Sequence, residues 1–192
     1  MKRRTEKPKR IRLRPEPEIS DQPSMRTLYI TRHAKSSWDD PRIDDFDRVL
    51  NARGQRDAPF MAQTFGARGE ALDLLVSSPA ARAKNTATFF HDMSGLELPP
   101  IQEIPAIYLA SVHTLLGVVN RFPDTAARIM LFGHNPGLSE LTAYLTNSAL
   151  GELPTCATVR IDLHVDLWSE VSGGLGELIW YDYPGSHDEL AK

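Results

Sequence analysis

Thr27-Leu28-Tyr29-Ile30-Thr31 breaks off into Arg32-His33-Ala34-Lys35-Ser36, and this junction decides how the rest of the chain is read. A short run of β-branched and aromatic residues bounded by polar ones reads as a strand. The polar loop after it extends to about Asp47, and a helix-like stretch follows near residues 51–67, with an apolar stripe of Ala58, Met61, Ala62 and Phe65. Pro59 falls inside that stripe, so the helix is expected to start or to bend there. The alternation then repeats. Strands are predicted at Leu72–Val76 and Ala127–Phe132, with a weaker extended piece at Ile101–Ile104. Helices are predicted at Pro79–Met93, Val112–Arg121 and Pro136–Thr146, with Pro79 suited to a first turn. Two late strands, Thr158–Leu163 and Glu177–Tyr183, close the pattern. In the first, Val159, Ile161 and Leu163 alternate with Arg160 and Asp162, which predicts one buried and one wet face. Strand and helix in succession imply right-handed crossovers. The expected fold is α/β: a three-layer α/β/α sandwich, mostly parallel, with an antiparallel edge.

At 192 residues the chain suits one compact domain, and 41% hydrophobic residues are enough for a core. No apolar run approaches the roughly 18 residues of a membrane-spanning helix, and no apolar segment follows the basic N-terminus as in a secretory signal. A single Cys excludes an internal disulfide and any Cys-based zinc site; Cys156 is expected to be a buried, inert thiol. A cytoplasmic protein, without membrane partners, is expected from the lack of export signals. The net charge of −3 hides an asymmetry: eight of the 22 Lys and Arg lie in residues 1–14, leaving 25–192 with fourteen basic and twenty-one acidic residues. Residues 1–24, rich in Pro and charge, are predicted to be a disordered extension, and 25–192 the folded domain. The extension reads as a solvated leader, as a weak tether to nucleic acid or another anionic surface, or as an Arg-rich transit peptide lacking the usual Ser. Nucleic acid is not expected to be a partner of the folded domain.

Three fragments follow predicted strand ends: Arg32-His33-Ala34-Lys35-Ser36, Ser77-Ser78-Pro79-Ala80-Ala81-Arg82 and Gly133-His134-Asn135-Pro136. Ligands of open α/β sheets bind outside the carboxyl ends of the strands, so residues far apart in sequence can meet there. Arg32 and Arg82 match phosphate oxygens in bidentate geometry, and the imidazole of His33 can attack phosphorus. Its pKa should fall among cations, and its other ring nitrogen needs a donor's partner, such as a backbone carbonyl, to hold the tautomer. His134 would donate to the equatorial oxygens and stabilise their charge in the transition state. Each fragment alone has a plainer reading: a hydrogen-bonded structural His, a surface Arg, a helix start at Ser77-Ser78-Pro79, a turn with an Asn cap at Asn135. Their joint occurrence at three strand ends favours an anion site containing a nucleophile.

Leu28 through Ser36, Asp45-Phe46-Asp47-Arg48-Val49-Leu50-Asn51-Ala52-Arg53-Gly54, Ser77 through Ala87 and Gly133-His134-Asn135-Pro136 together resemble the histidine phosphatase superfamily, which includes the phosphoglycerate mutases. The pattern is most similar to its small SixA-type phosphohistidine phosphatase branch. The resemblance covers about residues 26–183. It implies that His33 is phosphorylated in the cycle, that Arg32, Arg82 and His134 form the phosphate pocket with Ser36 beside them, and that no metal or other cofactor is needed. The implied substrate is a phosphorylated protein, as phosphohistidine, or a small phosphoester; a phosphate-recognising module without turnover is the other class.

One departure stands out. Many members place a Glu general acid after the third strand, where this chain reads Ile107-Tyr108-Leu109-Ala110-Ser111. Glu103, Asp39 and Asp40 are the substitutes offered by the sequence. An alkoxide needs a proton donor to leave easily, whereas a phosphorylated nitrogen or a phenol needs less help. The missing acid therefore favours phosphoramidates such as phosphohistidine and argues against a mutase. Trp38, in the first loop, reads as either a stacking wall for substrate or loop packing. Asp45 and Arg48 read as part of a polar patch of the branch or as a loop-fixing ion pair. Lys35 either adds to the positive field or is merely solvated. His91, His113, His164 and His187 lack ligand-like spacing and are expected at the surface.

Overall fold

A computed structural model describes residues 25–190; the basic stretch 1–24 lies outside the described residues. Six strands, β1 (Arg26–Arg32), β2 (Leu74–Ser77), β3 (Ile101–Glu103), β4 (Arg128–Gly133), β5 (Thr158–Leu163) and β6 (Gly176–Asp182), form one sheet in the order β3-β2-β4-β1-β5-β6. β1, β2, β3 and β4 pair in parallel, and β5 and β6 are antiparallel to their neighbours. Among the described residues the α-helices are α1 (Ala52–Ala67), α2 (Ala81–Met93), α3 (Val112–Val119) and α4 (Gly137–Thr146).

The layering follows from the strand sequences. β1 and β4 read as continuous apolar runs because both faces of a parallel sheet are covered. Leu28 and Ile30 of β1, with Ile129 and Leu131 of β4, pack into one core with Leu115, Val118, Leu138 and Leu141 of α3 and α4. Tyr29, Met130 and Phe132 point the other way and join Ala58, Met61, Phe65 and Phe90 of α1 and α2. The mostly parallel three-layer sandwich with an antiparallel edge is therefore the observed fold.

Three local expectations are corrected. α1 does not start at Pro59: it begins at Ala52, where the Asn51 side chain accepts from the Gly54 amide at 3.0 Å, and Pro59 sits inside the helix. The cap and the buried stripe on both sides of Pro59 offset the one backbone donor that proline lacks. α2 begins at Ala81 rather than Pro79, with Ala80 as its N-cap. The second face of β5 is not wet. Arg160 pairs with Asp162 at 2.9 Å and with Glu70 at 3.0 Å, while Trp180 Nε1 donates to Glu70 at 3.1 Å. Charged residues there are covered but paired, a pattern that alternation alone reads as solvent exposure.

The carboxyl ends of β1, β2 and β4 lie side by side, with Thr31 opposite Phe132 and Ser77 opposite Phe132 in register. The loop leaving β1 is closed at its base by the Ser36–Leu50 bridge and by a 3.0 Å bond from the Ser37 amide to the Val49 carbonyl. Gly54 makes this closure possible, since a Cβ there would lie 2.2 Å from the Lys35 carbonyl oxygen.

Candidate active site

His33, Arg82 and His134, predicted from three separate strand ends, meet at one cavity of about 210 Å³, with Arg32 and Ser36 also in its wall. The imidazole rings of His33 and His134 stand 5.1 Å apart between centroids, at 54°. Both rings are buried, as are Arg82 and Ser36; Arg32 is half-buried.

The hydrogen bonds give each group an orientation. His33 Nδ1 lies 2.7 Å from the Ala34 carbonyl oxygen, an acceptor only, so Nδ1 carries the proton. Nε2 is then the lone-pair nitrogen, and Arg82 Nε donates toward it at 3.3 Å. Burial, above all, and the charges of Arg82, Arg32 and Arg48 lower the His33 pKa to about 3, against the opposing pull of the Ala34 bond. His33 is thus neutral and carries its free lone pair on Nε2.

His134 is held differently. Its Nε2 lies 2.8 Å from Ser78 Oγ, which also accepts from the Ala80 amide at 3.3 Å. α2 has no side-chain cap because its N-cap residue is Ala80, which carries no acceptor. Burial, then the neighbouring His33 and Arg82, lower the His134 pKa to about 3. Its Nδ1 is buried and has no hydrogen-bond partner among the described residues, and the same is true of Arg32 Nε. Buried polar atoms are nearly always paired, and three residues lining the cavity carry exceptions: the nitrogens of Arg32 and His134, which suit an anion, and Asn135 Oδ1, an acceptor, which does not.

Arg32 reaches across to the Leu153 carbonyl at 2.5 Å, and Asn135 Nδ2 donates to the same oxygen at 3.0 Å. Asn135 therefore fastens the 153 loop rather than capping α4, whose N-cap is Pro136. The backbone amide of Cys156, at φ 63°, bonds the Arg32 and His33 carbonyls at 3.1 and 3.2 Å. Its thiol is fully buried, and burial drives its pKa upward.

Asp45 is the one carboxylate among the residues lining the cavity. Arg82 Nη2 donates to its Oδ2 at 2.8 Å, Tyr108 Oη to the same oxygen at 2.7 Å, and Arg48 Nη2 pairs with Oδ1 at 2.8 Å. A further bond runs from Arg82 Nη1 to the Asp45 carbonyl. Burial raises the Asp45 pKa, but the bonds from Tyr108 and Arg82 and the charges of Arg82 and Arg48 outweigh it and hold the carboxyl at about 2. Sequence reasoning weighed Asp45 and Arg48 only as a polar patch or loop-fixing pair. Arg48 is buried, and the pair reaches Arg82, the arginine that donates to His33. The i,i+3 spacing of the two residues was the available signal.

The other acids lie elsewhere. Glu103 pairs with Lys84 at 2.6 Å, Asp39 bonds Ser37 and Asp40 bonds Arg42; none of the three lines the cavity. Tyr108 occupies the segment where a Glu was sought and donates to Asp45. Lys35 and Trp38 line the cavity mouth and are exposed. His113 and His164 are exposed; His91 is half-buried; His187 bonds Asp182 at 2.7 Å and is half-buried. Among the described residues, no three or more His, Cys, Asp or Glu are placed to hold a metal ion, and no helix is long and apolar enough to cross a membrane.

Residues 28–107 match the family model of the histidine phosphatase superfamily (branch 1). An uncharacterized protein of Mycobacterium tuberculosis is 30% identical over 165 residues, which are 80% of this chain and 99% of that protein. An uncharacterized chloroplastic protein of Arabidopsis thaliana is 30% identical over 154 residues, 76% of this chain and 70% of that one. Among solved structures, a protein provisionally assigned as the phosphohistidine phosphatase SixA of Agrobacterium tumefaciens superposes with a TM-score of 0.70 at 26% identity, covering 83% of this chain and 99% of that one. The protein histidine phosphatase SixA complexed with tungstate gives a TM-score of 0.71 at 21% identity, over 83% and 98% of the two chains, and shares the fold.

Proposed function

Because the chain belongs to the histidine phosphatase superfamily, we propose that it is a phosphohydrolase that passes the phosphoryl group through Nε2 of His33, acting on phosphohistidine or a like phosphoramidate. The observation that carries this reading is the pairing of His33 Nδ1 with the Ala34 carbonyl, which leaves Nε2 as a neutral nucleophile beside Arg82. In the first step the P–N or P–O bond of the substrate breaks, the leaving group takes its electron pair, and a new P–N bond forms at His33. Arg32 and His134, each with a buried atom lacking a partner, supply donors to the phosphoryl oxygens as their charge develops. In the second step water attacks the phosphohistidine, phosphate departs, and the lone pair returns to Nε2. Ser36, in the cavity wall, joins the phosphate pocket.

The leaving group receives little help. Asp45, the carboxylate of the cavity, is held at about 2 and so is ionised at neutral pH; it has no proton to give. An alkoxide would leave poorly from such a site, whereas an imidazole or a phenolate leaves more readily. This supports phosphoramidates over sugar phosphates.

The test is a brief exposure to labelled phosphoryl donor, quenched in acid or in base. Wild-type protein should carry label that is acid-labile and base-stable, as a phosphohistidine is. His33→Ala should carry none. His134→Ala should slow labelling by about 100-fold or more, the usual cost of losing one transition-state donor, without moving the label. Label persisting in His33→Ala would remove the mechanism.

A further inference from the structure

The cavity has a buried charged floor, and its exposed wall residues include two large apolar side chains beside Lys35. His33, Arg82 and His134 are buried, whereas Trp38 and Leu109, in the same wall, are 71% and 55% exposed. Leu109 also sits at φ 45°, a backbone conformation that costs a side-chain-bearing residue energy and that recurs at binding sites. Trp38 is not a loose surface ring. The Arg48 guanidinium stacks on it, 3.3 Å from the ring centroid. Arg48 is itself buried and pairs with Asp45, which pairs with Arg82, which donates to the attacking nitrogen of His33. An unbroken chain of contacts thus fixes the indole relative to the nucleophile, with one face on a cation and most of its surface in water. An exposed tryptophan keeps apolar area in solvent, and this one keeps it where the leaving group of a bound phosphoryl compound would emerge.

We propose that Trp38 is a specificity-determining residue that stacks a planar, aromatic leaving group, so that the site prefers phosphoryl groups carried by an imidazole or aryl ring over those carried by saturated groups. This rests on the phosphoryl-transfer reading given above. The phosphoryl group binds at the charged floor, and the ring that carries it lies against the free side of the indole. Leu109 lies on the same rim and offers a second apolar surface to that ring.

The test compares two phosphonates that cannot be hydrolysed, phenylphosphonate and cyclohexylphosphonate, by calorimetry on the full chain. Wild-type protein should bind the planar compound about 3- to 10-fold more tightly, the range expected for one aromatic pair. Trp38→Ala should erase that preference, and Trp38→Phe should retain most of it. An absent preference in wild-type protein, failure to bind either compound, or equal weakening of both in Trp38→Ala would overturn the proposal. Turnover of phosphoimidazole, phosphoramidate, phenyl phosphate and cyclohexyl phosphate is measured alongside. It shows whether the favoured ring is joined through nitrogen or oxygen, and Trp38→Ala should lower the planar-to-saturated ratio within each pair. Protein that prefers phenylphosphonate yet turns over none of the four would keep the stacking role and overturn the hydrolase reading.

Discussion

A histidine can attack phosphorus only through an unprotonated nitrogen, and ordinary imidazole loses that form below pH 6.5. His33 keeps it much further down, since burial and three arginines hold its pKa to about 3. The ring in ¹⁵N-labelled protein should therefore show an unprotonated Nε2 and a protonated Nδ1 at pH 5, with no titration between pH 8 and 5. A ring that titrates near 6.5 would contradict this placement. His33, Arg32, Arg82 and His134 were legible in sequence because each lies at a strand end or in the segment leaving it. Asp45 was less so: its carboxylate enters the cavity through contacts with Arg82 and Tyr108, 37 and 63 residues away. The partner of Ser78 was not legible either, since its bond to His134 spans 56 residues.

At the scale of elements, the site depends on how closely α1 approaches the loop after β1. Gly54 lies on the first turn of α1 with its Cα facing the Lys35 carbonyl, and an added Cβ would stand 2.2 Å from that oxygen and 3.1 Å from the Lys35 nitrogen. Backbone cannot swing aside as a flexible side chain can. Gly54→Ala should therefore cost about 1–3 kcal/mol, the usual range for overpacking, and lower turnover by displacing the segment that carries His33. Gly117 is the contrast: it lies within α3, and a Cβ there meets only the end of Arg121 at 3.9 Å. Gly117→Ala should stabilise by about 0.5–1 kcal/mol and leave turnover as it was. Urea unfolding and a chromogenic phosphate assay on the two variants check both statements. Strand and helix identities were legible at this scale from periodicity. Most ends were legible too, β5 at Thr158–Leu163 and α1 at Ala52–Ala67 against residues 51–67, with the local Asn51 cap setting the α1 start despite Pro59.

For the whole molecule, two neutral buried histidines make stability depend on pH. The folded pKa of each lies near 3, below the unfolded value near 6.5. Between those values the unfolded chain binds more protons than the folded one, so stability falls as pH drops from 6.5 toward 3. Each site adds a slope of up to about 1.4 kcal/mol per pH unit in that window. His33→Gln should remove one of the two contributions, and urea midpoints at pH 6.5, 5.5 and 4.5 should decline less steeply than in wild-type protein. Equal slopes would show that the imidazole titrates alike in both states. Ionised Asp45 works in the same direction at the acid end of this range: its folded pKa of about 2 lies below that of a free carboxyl, so its stabilisation too is lost as pH falls toward 2.

By itself the sequence determined the strand–helix alternation, the two-sided burial of β1 and β4, and the three strand ends that carry His33, Arg82 and His134. These are local properties: periodicity, chain stiffness and the position of polar residues after apolar runs. Only the tertiary structure decided the ring tautomers, the covered face of β5, the placement of Asp45 against Arg82 and the stacking of Arg48 on Trp38. Each of those depends on burial and on Coulombic contact between groups remote along the chain. Charge and polarity in a sequence do not reveal which neighbour will satisfy them, and in this protein that neighbour determines both proton position and binding surface.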